Sequence, residues 1–158
     1  SGAAFERLLE ARERDLSDEP FADLPGLEAY AADTSGGLAL LALELLEVRD
    51  EATLAAGRAV GTAFALAGLL RAAPFRPVLP DLDRARIRGI AERARALLAQ
   101  ARQHPVDGRG MAVLLPATLA SAHLRTLERA GWDVRDTSVA RPKRMPLRLA
   151  FNAWRGRF

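Results

Sequence analysis

The sequence has no cysteine, which excludes a disulfide framework, a thiolate metal site and a cysteine nucleophile. Only two histidines are present: His104 beside Pro105, and His123 inside a helical pattern. Neither has a second histidine or a glutamate at ligand spacing, so ordinary solvent or core placement is expected for both. Lys143 is the one lysine among 23 basic residues. Such an arginine bias points to a GC-rich bacterial genome and says little by itself about phosphate binding. There is no glycine-rich phosphate loop, since Gly36-Gly37 lies in a helical pattern with no strand before it. No serine stands in a nucleophile-elbow setting. These absences remove most hydrolases and nucleotide-binding enzymes. The longest strongly apolar run, Ala59 to Leu70, would rise about 18 Å as a helix against roughly 30 Å of bilayer hydrocarbon, so no membrane span is expected. Ser1-Gly2-Ala3-Ala4 carries no basic stretch and opens no long apolar run, so no signal peptide is expected either.

What is present suits one globular domain over residues 1–158, with 49% hydrophobic and 27% charged residues. Charge divides unevenly along it. Residues 1–75 hold 6 basic and 13 acidic side chains, a balance of −7, while residues 76–158 hold 17 and 7, a balance of +10. The positive half suits an anionic lipid surface or a diphosphate, with nucleic acid the least favoured partner and a plain solvated face as the simpler reading.

The pattern is helical throughout, with no alternating segment and no hairpin signal. Residues 4–16 align Phe5, Leu8, Leu9 and Leu16. After Pro20 and Pro25, a long helix is expected from Gly26 to about Glu47, with Leu27, Tyr30, Leu38, Leu41 and Leu45 in apolar contact and a kink or close approach at Gly36-Gly37. Asp50 is a fair N-cap for a helix ending at Ala73 before Pro74. On it, Gly57, Gly61, Ala65 and Gly68 form a ridge of small residues that admits a neighbouring helix or a ligand chain. Asp81 or Asp83 caps a helix through Arg102 with Ile87, Ile90, Ala94, Leu97, Leu98 and Ala101 inside. A loop over His104–Gly110 precedes a helix from about Val113 to Ala130, which Gly131 ends. Arg135–Met145 reads as irregular. A last helix from Pro146 to about Arg157 lines up Leu147, Ala150, Phe151, Trp154 and Phe158, a stripe expected to face the core.

Gly61-Thr-Ala-Phe-Ala-Leu-Ala-Gly-Leu-Leu-Arg71-Ala-Ala-Pro-Phe-Arg76 resembles the squalene/phytoene synthase helix that ends in the family's second aspartate-rich motif. Phe5 to Pro20, Leu27 to Gly37, Leu114-Leu-Pro116, Leu124 to Gly131 and Ala150 to Arg157 are similar to further family segments, in the family's order. The resemblance implies an all-α, single-domain helical bundle of the isoprenoid-synthase type, present here as its C-terminal three-fifths without the helices that carry the first D-x-x-x-D motif. Tyr30, Thr34, Gly37, Gly61, Ala65 and Gly68 would border the prenyl-chain cavity, and Arg71 would contact diphosphate.

Laid on the family motif, the two metal-binding aspartates fall on Ala72 and Arg76. Leu70-Arg-Ala-Ala-Pro74 is closer to the branch that includes mitochondrial complex I assembly factor 6 and its bacterial relatives. The resemblance therefore implies a non-catalytic or diverged protein that binds a prenyl diphosphate or another isoprenoid lipid, or serves a membrane complex in assembly, with no cofactor. The alternative is an active prenyltransferase using Mg²⁺, with Asp15 and Asp18 in a relocated metal site. A second alternative, from charge alone, is a basic membrane-binding module built on residues 141–158. A cytoplasmic location at the periphery of the inner membrane is expected.

Overall fold

A small-residue helix at the centre organises the bundle. The computed structural model describes residues 2–17, 19–75, 81–140 and 146–158, apart from the side chains of 3, 4, 140 and 146–148. Among the described residues the elements are all helical: α1 (Gly2–Glu13), α2 (Leu24–Ala31), α3 (Gly37–Leu45), α4 (Glu51–Ala72), α5 (Arg84–Ala101), α6 (Met111–Leu114), α7 (Pro116–Arg129), α8 (Thr137–Ala140) and α9 (Pro146–Trp154). The all-α expectation holds.

α4 packs against α2, α3, α5, α6 and α7. At 22 residues it spans about 33 Å, longer than its twelve-residue apolar run indicates, and by length and composition alone it is long and apolar enough to cross a bilayer. Eleven of its residues, Val60, Leu66 and Leu70 among them, are buried against other helices, as befits the core helix of a bundle. Asp50 caps it as expected, accepting from the Thr53 backbone N–H at 2.8 Å and from the Thr53 hydroxyl at 2.5 Å. The same hydroxyl accepts the Asp107 N–H at 2.7 Å, so the cap also holds the loop before α6.

The expected Gly26–Glu47 helix divides at one wide, π-type turn, Ala32–Gly36, between α2 and α3. Space is tight at Gly36, where a β-carbon would stand 3.0 Å from Thr62 Oγ1 and 3.2 Å from the Arg58 carbonyl oxygen. Leu27 is buried, but Leu38 and Leu45 face outward, contrary to expectation, Leu45 at 85% exposure. Asp83 caps α5, and all six of its expected inward residues are buried. The helix read from Val113 begins at Met111 and is broken at Leu115, where Pro116 starts α7. Gly131 ends α7 with φ +61°, a left-handed turn that suits glycine. Within the stretch read as irregular, Thr137–Ala140 forms α8, and residues 141–145 lie outside the described residues.

Bidentate Arg93–Glu28 contacts of 2.6 and 2.7 Å tie α5 to α2, and Arg95–Glu128 at 2.7 Å ties α5 to α7. α9 rests on α7 through Asn152 Nδ2, which donates to Thr118 Oγ1 at 2.8 Å. The core-facing stripe expected on α9 is not formed: Phe151 is 50% exposed and Trp154 81%, while Phe158 beyond the helix packs against the core. The side chain of Leu147 lies outside the described residues.

The α4 ridge serves two ends. A β-carbon on Gly61 would lie 2.4 Å from the Ser35 carbonyl oxygen and 2.9 Å from Gly36 Cα, both backbone atoms that cannot swing aside. At Gly68 nothing lies within 4 Å. Gly61→Ala is therefore expected to destabilise by about 1–3 kcal/mol through overpacking, although alanine is the better helix former. Gly68→Ala is expected to stabilise by up to about 1 kcal/mol, its propensity gain being unopposed. Urea unfolding of both variants checks this, and equal shifts in the same direction would contradict the two-ended ridge.

Candidate functional site

The lower half of α4 opens onto a cavity of ≈ 350 Å³. From α4 come Phe64, Ala65, Gly68 and Arg71, with Ser35 from the wide turn above them. α7 supplies Leu119, His123 and Thr126, spaced so that one helical face looks inward, and α8 adds Ser138 and Val139. The Thr126 hydroxyl donates to its own helix, at the Ala122 carbonyl oxygen 3.1 Å away. The wall is mainly apolar, and Arg71 is its one formally charged side chain among the described residues.

His123 is the second polar feature. Its Nε2 is buried with no hydrogen-bond partner among the described residues. Burial, and after it the positive charge of Arg71, holds the imidazole below its ordinary range, so it is neutral at pH 7. Sequence spacing alone placed His123 in a helix and gave it no role. The signal that could have found it is the i, i+4, i+7 set of Leu119, His123 and Thr126, which shares one helix face.

Of the residues that the family resemblance put on a prenyl cavity, the structure gathers Ala65 and Gly68 on this wall together with Arg71. The others lie elsewhere. Gly61 is closed off by the Ser35 backbone, Thr34 is buried with its hydroxyl donating to the Tyr30 carbonyl oxygen at 2.7 Å, and Gly37 is half-buried in α3. Tyr30 borders a separate surface hollow with Phe21, Arg14, Asp23 and Asp33. Its hydroxyl donates to Asp15 at 2.5 Å, and Arg12 contacts the other oxygen of that carboxylate at 3.0 Å. In the same hollow Asp23 caps α2, and Asp33 faces Arg58 at 3.7 Å. Ala72 is half-buried at the end of α4. Asp18 and Arg76 lie outside the described residues.

This donor set does not fit a magnesium diphosphate. Mg²⁺ in such sites is held by carboxylate oxygens, and no described carboxylate lines the cavity. No group of three or more His, Asp or Glu that could hold a metal ion gathers among the described residues. The wall instead offers a guanidinium, a neutral imidazole and hydroxyl groups beside an apolar trough, a chemistry suited to one anionic head on an apolar chain.

The chain matches known proteins along the lines its motifs imply. Residues 2–79 match the squalene/phytoene synthase family model. Over 96% of its length the chain is 26% identical to a Mus musculus protein named NADH dehydrogenase (ubiquinone) complex I, assembly factor 6, of which it covers 54%. The Homo sapiens protein of that name is 24% identical over 94% of the chain, which covers 53% of it. The chain thus spans about half the length of the curated relatives it matches. No solved structure matches it.

The His123 environment makes a prediction about stability. Because the folded state holds this imidazole neutral, the unfolded chain binds its proton more readily. Stability should therefore fall as pH drops through the unfolded-state value near 6.5 and level off below the folded value. Carboxylates held low by partners, such as Glu28 with Arg93 and Glu128 with Arg95, act in a separate and more acid window. Urea midpoints of the native protein are expected to decline between about pH 7.5 and about pH 5, with His123→Gln nearly flat over that range. Parallel curves for the two proteins would remove His123 as the cause.

Proposed function

Taking the chain as a squalene/phytoene synthase-type protein, we propose that it is an assembly-type factor for a membrane respiratory complex that holds an isoprenoid, or a chemically similar anionic amphiphile, between α4 and α7 without joining two prenyl donors. The observation that carries this reading is the C-terminal end of α4: Arg71 on the cavity wall, Ala72 beside it, and no described carboxylate facing the trough.

The physical argument concerns the leaving group. Joining two prenyl chains requires a diphosphate to depart, and the departing charge must be met by metal ions or several cations. One guanidinium binds phosphate oxygens well through its planar fork, yet it supplies a single positive charge and no site for a divalent ion. Such an end retains a lipid more readily than it ionises one. The name of the relatives supports the assembly half of the proposal, and a place on the inner membrane's cytoplasmic side accords with it. Both halves are proposed for the full-length protein.

The test uses that full-length protein with farnesyl and geranylgeranyl diphosphate in the presence of Mg²⁺. Expected are saturable binding, no condensed hydrocarbon product and no diphosphate release. Arg71→Ala should weaken binding of farnesyl diphosphate about tenfold, the scale of one charged hydrogen-bonding partner. Turnover would sink the non-catalytic half of the reading. The assembly half falls if removing the protein from its host leaves the amount of assembled NADH dehydrogenase complex unchanged.

A further inference from the structure

α9 is held to the bundle by a narrow edge. Leu149 and Asn152 are half-buried, and Asn152 is fastened to Thr118. Just past the helix, the Arg102 guanidinium donates to the Phe158 carbonyl oxygen at 2.7 Å, and the Phe158 ring packs on the core. These contacts fix the rotation of α9 about its axis. They leave Phe151 and Trp154 on the opposite side, where the rings lie 6.2 Å apart and are tilted against each other. Arg155 stands over the Phe151 ring at 5.2 Å.

We propose that this outward face of α9 is a docking surface for an anionic lipid bilayer, with Phe151 and Trp154 entering the headgroup boundary and the arginines pairing with lipid phosphates. Three observations carry it. Tryptophan and phenylalanine side by side in water leave a large apolar area exposed, while tryptophan is at home at a membrane interface, where its ring is covered and its N–H stays wet. Their outward aim is imposed by the Asn152 and Phe158 anchors, so no rotation that the bundle permits would bury them. Finally, the chain from Pro146 to Phe158 holds three arginines and no acidic residue, in the half of the molecule whose balance is +10.

A nine-residue helix is about 13 Å long, so it lies in the interface and does not cross it. The same charge argues against a second copy as the occupant. A two-fold contact would set this arginine-bearing face against itself, with no carboxylate in the segment to meet it. The surface is independent of the α4–α7 cavity and stands whether or not that cavity takes a lipid.

Flotation of the full chain with phosphatidylcholine vesicles, with and without phosphatidylglycerol, tests the proposal. Binding is expected only with the anionic lipid and should weaken as salt rises. Phe151→Ser with Trp154→Ser should lower affinity about tenfold or more, with helix content and melting unchanged because both side chains already face water. Arg155→Glu with Arg157→Glu should abolish the salt-sensitive part. In a Trp132→Phe background, Trp154 emission should shift to the blue on addition of anionic vesicles and not of neutral ones. The proposal is overturned if the native chain stays with the aqueous phase, if the aromatic variant floats as the native chain does, or if emission is unmoved. It is also overturned if Trp154→Ser converts a native dimer to a monomer, or if the face captures nucleic acid in place of vesicles.

Discussion

The contact on which the rest of the arrangement depends is that of Gly61 in α4 with the backbone of Ser35 and Gly36. It is backbone against backbone, so neither partner can yield by a rotamer change, and the two segments meet at one separation. The wide turn at Ala32–Gly36 lets the second helix swell toward α4 at that point. Leu43 of α3 fills the neighbouring place at Gly57, where a β-carbon would come within 2.4 Å of its Cδ1. With the upper half of α4 seated this way, its lower half has no such partner. Gly68 looks into open space, and α7 bridges across to make a trough.

That division gives the cavity its chemistry. The small residues of the lower half keep its floor shallow and apolar, and Arg71 arrives one turn beyond Gly68, near the mouth of the same face. His123 comes from the opposite wall and stays neutral because it is buried close to Arg71. The trough therefore has one fixed positive charge. Burial is the main reason His123 stays deprotonated. An anion brought to the trough would gain from Arg71 and offset only the smaller share that the Arg71 charge adds, so anion binding and proton uptake would favour each other to that extent. On the proposed reading, an end once suited to metal-bound diphosphate has become an end suited to retention.

How much of this could be read from the residues varied with the kind of signal. Caps and stops were legible because their causes are local: Asp50 and Asp83 accept N–H groups three residues on, and Gly131 adopts a left-handed turn. The α5 stripe was legible because seven buried positions repeat at helical spacing between charged ones. The kink at Gly36-Gly37 was legible as a place, but its i→i+5 form depends on α4 pressing against it. The small-residue ridge allowed a helix or a ligand chain. Its upper half meets the wide turn and α3, and its lower half borders a cavity, a division that depends on where the second helix leaves α4. Of the candidate cavity, Ala65, Gly68 and Arg71 were in view because they lie on the helix whose motif was readable. Ser35, His123 and Ser138 were not, since they come from three other segments that only the fold brings together.

α9 illustrates a different limit. Helical spacing says which residues share a stripe; it does not say whether anything covers the stripe. Leu147, Phe151, Trp154 and Phe158 fall in line, and a core-facing reading was the economical one. Phe158, however, lies past the end of the helix, where Gly156 turns the chain with φ +60°, so its ring reaches the core from a direction that the helix itself does not face. Asn152 takes the inward position, where its amide donates to the Thr118 hydroxyl at the α7 surface. A polar residue on the inner edge and aromatic residues on the outer edge invert the usual amphipathic order. On the proposed reading, that inversion is what turns the outer face of α9 toward a bilayer.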